Sequence, residues 1–535
     1  MGTQLFVGGH VYSPQAFDAT SMAVTDGVIS WIGSDQVGRA LHPQVPVTDL
    51  DGAFVAPAFV DSHVHLTSTG LSLNGLDLSD ATSRADCLTR LREYAATTPP
   101  GELIWGLGWD DSTWTDHASP TTDDVDAIVG NRPVYLARID EHSAVASTAL
   151  RTIADKAADA AGFDPQQPLT AEAHHLVRAA ARGLLTAEQR TRAQRRALDE
   201  AAANGIVAVH ENGGPDISGL ADFVAIGALD HAVQVRRYWG QAVTDVDAAR
   251  SLLAATGADG LGGDLFIDGA IGSHTAWLTH PYADDLHNHG VSYLDEDAVI
   301  AHLRACTEAE VQAGFHLIGD AATDCLTRAL RVLLAEFGSA RVARCHHRIE
   351  HAEMVGPDAA AVFADAGMTA SMQPIFDALW GGPGQLYEQR LGGARAAGLN
   401  DFAGLARAGV NLAFSSDSPV TAMNPWQQIR AAVNHHNPDS AVSPRAAFAA
   451  VTRGGWRAAG VADGTRGVLM PGAPADYAIW RVENLVTAGS SEKVQRWSTD
   501  PRARVPALPD MSPGAALPVC VQTVRAGQPI HLGAT

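Results

Sequence analysis

The sequence has very little lysine. Only Lys156 and Lys493 occur among 535 residues, so arginine carries nearly all of the positive charge. Acidic residues outnumber basic residues by 60 to 37, which gives a formal net charge of −23. Because nucleic acids and anionic membranes are bound through basic patches, this imbalance argues against both classes of partner.

Cysteine and long apolar runs are also scarce. The five cysteines are scattered and form no CxxC pair, which argues against a disulfide framework and favours a reducing compartment. The first nine residues lack the basic start and apolar core of a signal peptide. No run approaches the ~18 apolar residues that cross a bilayer. We therefore expect a soluble, cytoplasmic protein.

Short strand patterns occupy both ends of the chain. They are predicted at Gln4–Val7, Ser21–Val24, Val28–Ile32 and, near the other end, Tyr477–Trp480. Turn residues such as Asp26-Gly27 separate them. Because neither end has enough strands to bury a face alone, the sequence predicts one small β-sandwich module built from residues 1–52 and 467–535.

Between these ends, apolar runs of strand length alternate with helical stretches. The runs are Phe54–Val60, Ile206–His210, Val233–Trp239, Leu265–Asp268, Phe315–Ile318, Arg348–His351, Met368–Met372 and Asn411–Phe414. The clearest helices are Ala171–Ala203, Asp295–Ala313, Asp324–Phe337, Pro357–Ala366, Phe402–Ala408 and Pro444–Ala459. Eight strands separated mostly by helices predict an α/β fold, a parallel (β/α)8 TIM-like barrel over residues 53–466. We interpret residues 67–204, approximately, as an insertion near the active-site face.

The strongest local signal is the segment Asp61-Ser-His63-Val-His65, directly after the first predicted strand. Residues two apart on a strand point the same way, so both histidines can reach one metal ion. Three later strands also end in metal-compatible side chains, namely His316, His351 and Asp417. Active sites of such barrels form at the C-terminal strand ends. Four imidazoles and a carboxylate there suit zinc or a similar divalent ion.

These motifs resemble the amidohydrolase superfamily, in the family 3 branch that includes YtcJ-like proteins and N-substituted formamide deformylases. The matching stretches are Ala58–Leu66, Gly106–Asp110, Arg138–His142, Asp268–Ala276, His316–Asp320, Arg348–Ala352, Ser371–Pro374, Ser415–Pro419 and Pro471–Asp476. The resemblance implies a metal-dependent hydrolase in which His63, His65 and Asp417 hold one metal. His316 and His351 would complete that site or form a second one. Asp417 would also take the proton from the attacking water.

The sequence departs from this family on the fourth predicted strand. Many members carry a lysine there, expected to be carboxylated and to bridge two metals, whereas this chain has Asp264. We expect Asp264 to lie too early on its strand to reach the metal. One alternative is a single metal with His351 left free to polarise the substrate, and this alternative is favoured. The other is a pair of metals bridged by Glu211, at the end of the second predicted strand.

A second departure is His274, where the family more often has arginine in a Gly-Ser-x-Thr-Ala loop. Arginine is a fixed planar donor for a substrate carboxylate, whereas histidine is shorter and its contact depends on pH. We therefore predict that His274 acts on a substrate less anionic than those of arginine-bearing relatives.

Several other residues are candidates for the substrate pocket. Arg138, Asp140 and His142 fall close together, and the alternative for them is a local ion-pair network. Trp109 is interpreted as a pocket wall, with ordinary packing as the alternative. Glu350 should point away from His351 on its strand and act as support. The remaining histidines without a strand-end position are predicted to lie on the surface: His346, His347, His435 and His436.

The leading functional hypothesis is hydrolysis of an amide-like C–N bond outside ordinary peptides, in a small-molecule substrate. A homo-oligomer is compatible with this hypothesis. A deaminase with one metal, acting on an amino-substituted ring, is the alternative that the missing lysine favours. A catalytically silent binding protein is the third hypothesis. Retention of all four histidines and of Asp417 argues against the third.

Overall fold

The computed structural model describes residues 2–111, 114, 116–138, 143–215, 217–487 and 506–533. The chain divides into two compact units. One is formed by Met1–His65 together with Leu198–Thr535, and the other by Leu66–Ala197. Among the described residues, no helix is long and apolar enough to cross a membrane. All five cysteines are free thiols.

The first unit begins with short strands. They are β1 (Thr3–Val7), β2 (His10–Val11), β3 (Ser21–Thr25), β4 (Val28–Gly33), β5 (Val47–Asp49), β6 (Phe54–Pro57) and β7 (Phe59–Val64), with helix α1 (Asp35–Leu41). Four of them form a sheet in the order β4-β3-β1-β5. Asp26 and Gly27 join β3 to β4, and both adopt the positive φ that a tight hairpin turn favours. The three strands predicted at this end are confirmed.

The second unit contains a five-stranded sheet in the order β12-β11-β10-β9-β8. Its strands are β8 (Leu76–Asp77), β9 (Ile104–Trp109), β10 (Val134–Arg138), β11 (Ser143–Ala146) and β12 (Leu169–Thr170). The helices of this part of the chain are α2 (Leu66–Asn74), α3 (Arg84–Thr97), α4 (Thr122–Val129), α5 (Thr148–Ile153), α6 (Ala171–Gly183) and α7 (Ala187–Ala203).

The long helix predicted at Ala171–Ala203 is therefore two helices. Thr186 and Gln189 start the second one, since Gln189 N donates to Thr186 Oγ1 at 3.1 Å and Thr186 N donates to Gln189 Oε1 at 3.3 Å. This reciprocal pair is a capping box, a helix-start signal that the apolar periodicity concealed.

The barrel-forming strands of the first unit are all parallel to their neighbours. After β7 come β13 (Ile206–Gly213), β14 (Gln234–Trp239), β15 (Gly314–Leu317), β16 (Arg348–His351), β17 (Thr369–Met372) and β18 (Asn411–Phe414). They form two sheets, in the orders β14-β13-β7 and β15-β16-β17-β18. Single parallel bridges join the edges, Val64 to Ser418 on one side and Leu261 to Ala313 on the other. The ladder is not continuous, so the described strands do not form an uninterrupted closed barrel.

Helices accompany these strands. They are α8 (Leu220–Gly227), α9 (Val246–Thr256), α10 (Glu296–Ala309), α11 (Asp320–Phe337), α12 (Ser339–Arg344), α13 (Pro357–Asp365), α14 (Pro374–Trp380), α15 (Leu386–Leu391), α16 (Gly393–Ala396), α17 (Phe402–Ala408), α18 (Pro425–Val433), α19 (Pro444–Ala449) and α20 (Gly455–Ala458). A short π-helical segment, Ala450–Gly454, lies between the last two.

Two of the predicted strands differ in the structure. The run Phe54–Val60 divides at Ala58. Strand β6 joins a five-stranded sheet built from both chain ends, here called the terminal sheet, while β7 extends to Val64 and includes His63. The run Leu265–Asp268 is not a strand. The preceding glycines adopt positive φ, and a Cβ on Gly262 would lie 2.1 Å from the backbone nitrogen of Gly314. This close approach and the left-handed backbone replace a regular fourth strand.

The C-terminal strands pair with the N-terminal ones. They are β19 (Tyr477–Arg481), β20 (Leu485–Val486), β21 (Leu508–Pro509), β22 (Val519–Arg525) and β23 (Gln528–Leu532). One sheet runs in the order β2-β6-β19-β22-β23. Phe6, Tyr477 and Val524 share a buried apolar cluster. The barrel and both chain ends fall in one compact unit, so the β-sandwich module and its boundaries stay predictions.

Candidate metal centre

Six metal-compatible side chains of the first unit come together, with each ring or carboxylate at least mostly buried. His63 lies on β7, His316 on β15 and His351 at the end of β16. The other three follow strands or the glycine turn: His65, Asp264 and Asp417. In parallel barrels this is the end of the strands where active sites form.

Asp264 lies in the middle of this cluster. Its Oδ2 atom is 3.4 Å from His63 Nε2 and 3.1 Å from His65 Nε2. Its Oδ1 atom is 3.5 Å from His316 Nδ1 and 3.7 Å from His351 Nε2. The prediction that Asp264 lies too early to reach the site is wrong. The glycine turn replaces a regular strand here, so residue spacing along a strand could not place this carboxylate.

Asp417 contacts the first two histidines. Its Oδ1 atom is 3.3 Å from Nε2 of His63 and 3.3 Å from Nε2 of His65. The backbone fixes this arrangement, because Asp417 N donates to His63 O at 3.0 Å and His65 N donates to Ser418 O at 2.9 Å. The first and last strands of the barrel thus hold these three residues together, as the sequence predicted.

The chain turns sharply at the end of β16. His351 and Ala352 have φ of 70° and 51°, a left-handed conformation that is strained for residues other than glycine. On a regular strand Glu350 and His351 would face opposite sides. The turn instead brings the His351 ring to 5.1 Å from the His63 ring, while Glu350 lies on the other side of His63. Glu350 therefore supports the site, as predicted.

Outer hydrogen bonds orient three of the histidine rings. His63 Nδ1 donates to Glu350 Oε2 at 2.9 Å, and His351 Nδ1 donates to Gln373 Oε1 at 2.8 Å. His316 Nε2 donates to the carbonyl of Gly269 at 3.3 Å. Because each acceptor is a carboxylate or a carbonyl, the proton lies on the outer nitrogen. The inner nitrogen of each ring is then the atom left to bind a metal, once a metal ion displaces any proton on it.

The sequence analysis did not identify Arg348 and Gln373 as residues that support the histidine rings. Arg348 forms a fully buried ion pair with Glu350 and also lies 3.0 Å from His210 Nδ1. Gln373 donates through Nε2 to Ser415 Oγ at 2.9 Å. Gln373 could have been found from the sequence, because it is a polar residue that directly follows strand β17.

The inner atoms fit a metal ion. His63 Nε2, His316 Nδ1 and Asp264 Oδ1 are buried and have no hydrogen-bond partner among the described residues. Buried polar atoms are nearly always paired, so unpaired lone pairs that converge from several strands point to a bound cation. Imidazole nitrogens and carboxylate oxygens form the ligand set of a borderline divalent ion such as zinc.

The electrostatics of the cluster also favour a cation. Burial lowers the pKa of His63, but the carboxylates of Asp264 and Asp417 outweigh burial and raise this pKa well above its ordinary value. For His65, burial is likewise outweighed by hydrogen bonds to the same carboxylates, and its pKa rises to about 10. The two carboxylates therefore stabilise positive charge at this site. A divalent ion supplies it and releases these protons.

Glu211 was the other carboxylate considered as a bridge between two metals. It is buried in β13, with 1% of its surface exposed. The groups of metal-ligating atoms that the described residues bring within 4.8 Å of one another do not include it. The bridging role of Glu211 therefore stays a prediction, and Asp264 is a second carboxylate available for that role.

His274 is held by an acidic neighbour. Its Nε2 atom lies 3.0 and 3.1 Å from the two carboxylate oxygens of Asp284, which also pairs with Arg390. The ring packs on Tyr282 at 4.8 Å between centroids. A role for His274 in substrate binding stays a prediction.

The candidates of the second unit have local partners. Arg138 lies 2.7 Å from Asp110 and 3.2 Å from Asp111, which is the ion-pair network considered as its alternative role. Trp109 is 1% exposed and donates through Nε1 to the Leu136 carbonyl at 2.9 Å, so it packs in the core of this unit. Asp140 and His142 lie outside the described residues.

Two histidines predicted to lie on the surface are buried. His347 is fully buried, and His435 is 4% exposed. His435 Nε2 lies 3.1 Å from Asp377 Oδ1, and His436 Nδ1 contacts the same oxygen. Helix α14, which carries Asp377, and the segment after α18 bring these residues together, which the local sequence pattern did not indicate.

Known proteins resemble this chain over most of its length. The model of the amidohydrolase family matches residues 46–531. The protein LONG AFTER FAR-RED 3 of Arabidopsis thaliana is 28% identical over 498 residues, 86% of this chain and 84% of the relative. The putative amidohydrolase YtcJ of Bacillus subtilis is 27% identical over 465 residues, 80% of this chain and 82% of the relative.

A solved structure shows the same fold. An uncharacterized metal-dependent hydrolase from Pyrococcus furiosus is similar with a TM-score of 0.72 and 25% identity, covering 89% of this chain and 98% of that one. The likeness confirms a TIM-barrel-like α/β fold and supports hydrolase activity with a divalent metal. The family match spans nearly the whole sequence, and the chain therefore belongs to the amidohydrolase family.

Proposed function

We propose that this chain is a metal-dependent hydrolase that cleaves an amide or formamide-like C–N bond, outside ordinary peptides, in a small molecule. One observation carries the proposal: Asp264 and Asp417 lie among four histidines, and the inner nitrogens of His63 and His316 are buried without a hydrogen-bond partner in the described part of the chain. Together with membership of the amidohydrolase family, this arrangement supports water activation at a divalent ion.

The placement of Asp264 favours two ions over the single ion favoured by the sequence. Its two oxygens face different pairs of histidines. His63, His65 and Asp417 would hold one ion with Oδ2, and His316 and His351 would hold the other with Oδ1. Asp264 would thus supply the bridging carboxylate that a carboxylated lysine supplies in other members. Zinc suits the donor set, and such ions lower the pKa of bound water to about 7.

Asp417 is the proposed base. Burial raises its pKa, but the neighbouring histidines His63 and His65 outweigh burial and lower it below the ordinary value. Asp417 is therefore ionised at neutral pH and can accept a proton from the attacking water. The same carboxyl group can then pass that proton to the leaving amine.

Replacement of Asp417 by asparagine tests this role. Asp417→Asn keeps the size of the side chain and one metal-ligating oxygen but removes the basic carboxylate. We expect the fold and most of the metal to persist while turnover falls by about 10²–10⁴-fold. Metal content per chain and turnover of a panel of N-acyl and N-formyl amines would be measured together. Exposed Asp439→Asn is the matched control. Near-normal turnover of Asp417→Asn would remove it as the base.

The deaminase alternative rested on the missing lysine. Because Asp264 supplies a carboxylate at the position between the histidines, that absence no longer favours a single-metal deaminase. Product analysis separates the two reactions. Hydrolysis of an N-substituted amide releases an amine and an acid, whereas deamination releases ammonia with one organic product.

A further inference from the structure

A separate cavity of about 420 Å³ lies in the first unit, beside the terminal sheet and the π-helical segment Ala450–Gly454. This volume falls within the range of small-molecule sites. Apolar side chains form most of its wall: Tyr12, Pro14, Pro57, Phe448, Val468 and Leu469. None of the six residues of the metal centre lines it.

Two guanidinium groups flank this cavity. Arg445 and Arg453 both line it, and neither forms an ion pair with a carboxylate of the described residues. Arg304, an exposed arginine elsewhere in the unit, does have such a partner in Glu336. The chain carries a net charge of −23, so two unpaired guanidinium groups at one cavity are not explained by a general excess of positive charge.

The positive charges of the arginines at this cavity repel one another. The pKa of Arg453 is lowered by burial, by Arg457 and by Arg445, with Tyr12 acting in the opposite sense. Tyr12 interacts with Arg445 through its hydroxyl group. An anion between the two lining arginines would relieve this repulsion and would meet planar donors suited to a carboxylate or phosphate.

The backbone that carries Arg453 is fixed. A Cβ on Gly454 would lie 2.3 Å from the carbonyl oxygen of Leu412 in β18, and one on Gly455 would lie 2.5 Å from Val60 in β7. Such close approach holds the π-helical segment against two barrel strands. π-Helical turns are rare and occur frequently at functional sites. The backbone position of Arg453 is therefore set before a ligand arrives, which lowers the cost of binding.

We propose that this cavity binds a small amphipathic anion, with an apolar body against Phe448 and Leu469 and a carboxylate or phosphate head between Arg445 and Arg453. The site is distinct from the metal centre, and its occupancy does not require the proposed hydrolysis.

Calorimetric titration of the metal-loaded protein tests this site. The probes are 1-naphthoate, 1-naphthyl phosphate, uncharged 1-naphthalenemethanol and inorganic phosphate. We expect one equivalent of a naphthyl anion to bind at least about tenfold more tightly than the alcohol or inorganic phosphate. The head group that binds more tightly assigns the ligand as a carboxylate or a phosphate. Absence of naphthyl anion binding, or equal binding of the alcohol or of inorganic phosphate, would overturn the proposal.

Two variants locate the binding. Arg445→Gln/Arg453→Gln should weaken naphthyl anion binding at least about tenfold while metal content stays unchanged. Ala446→Trp, which places a large ring at the cavity wall and keeps both charges, should weaken it as well. Arg250→Gln, at an exposed arginine elsewhere, is the matched control. An anion that binds at the metal centre would be unaffected by the double substitution, and that result would also overturn the proposal.

Discussion

The first unit contains two kinds of buried histidine with opposite surroundings. At the metal centre, His63 and His65 face carboxylates, and their pKa values are raised. Behind the barrel strands, His302 and His347 face backbone and hydroxyl groups. Burial lowers the pKa of His302 to about 4 and that of His347 to about 3.

The two sets also differ in how their nitrogens are used. His302 accepts from Val243 N at 3.2 Å and lies 3.2 Å from the Leu261 carbonyl, so both ring nitrogens have partners. His347 accepts from Ala313 N at 2.9 Å and lies 3.0 Å from Thr307 Oγ1. Burial alone therefore does not make a histidine a metal ligand. The distinguishing feature is an unpaired inner nitrogen that faces carboxylates.

The largest expected difference between the two sets is in metal binding. His65→Gln removes a ligand, and we expect turnover to fall on the order of 10³-fold as metal is lost. His347→Gln should keep the metal content of the wild type, because its nitrogens bind Ala313 and Thr307. Elemental analysis of both purified variants measures this. Full metal content in His65→Gln would show that the two sets of histidines do not differ in metal binding.

Asp264 sharpens the comparison by testing the number of ions. A neutral amide cannot provide two anionic oxygens, so Asp264→Asn should lower the metal content from the proposed two ions per chain to one or fewer. We expect turnover to fall on the order of 10²-fold. Equilibrium dialysis with zinc, followed by elemental analysis, gives the stoichiometry. Exposed Asp259→Asn is the matched control. One ion per chain in both the wild type and Asp264→Asn would contradict the bridging role.

A smaller effect is expected from the carboxylate that orients His63. Glu350→Gln keeps an acceptor for His63 Nδ1 but leaves the buried Arg348 without its anionic partner. Loss of such an outer partner typically weakens metal binding by about 10–100-fold. Competition with a chelator of known affinity measures this change. Exposed Glu336→Gln, which also removes the partner of an arginine, should leave metal affinity unchanged.

The smallest effect concerns the acid stability of the second set. The folded-state pKa of His347 is about 3, below its ordinary 6.5. The unfolded chain therefore gains a proton as pH falls below about 6.5, while the folded chain does not. The free energy of unfolding should fall by about 1.4 kcal/mol per pH unit between about pH 6 and pH 4 for this group. In His347→Gln the pH slope should be shallower by that amount. Urea unfolding at several pH values measures it, and parallel slopes would refute it.

The strand-end rule explains what the sequence could predict. The sequence brought His63, His65, His316, His351 and Asp417 together because each lies on a parallel strand or within three residues after one. Asp264 was misplaced because a glycine turn, held by contact with β15, replaces the expected strand. His347 was misplaced because its burial depends on α10, which packs from a distant part of the sequence. The local pattern of apolar residues predicts neither the contact of the glycine turn with β15 nor the contact of His347 with α10.

The contact between the first and last barrel strands has a consequence for the order of folding. Ser416 N donates to Asp61 Oδ1 across a separation of 355 residues, and Asp417 N donates to His63 O beside it. A nascent chain that ends before residue 417 lacks part of the ligand set, however well its earlier strands are formed. Metal capture would therefore belong to the final stage of folding and would lock a nearly finished fold rather than nucleate it.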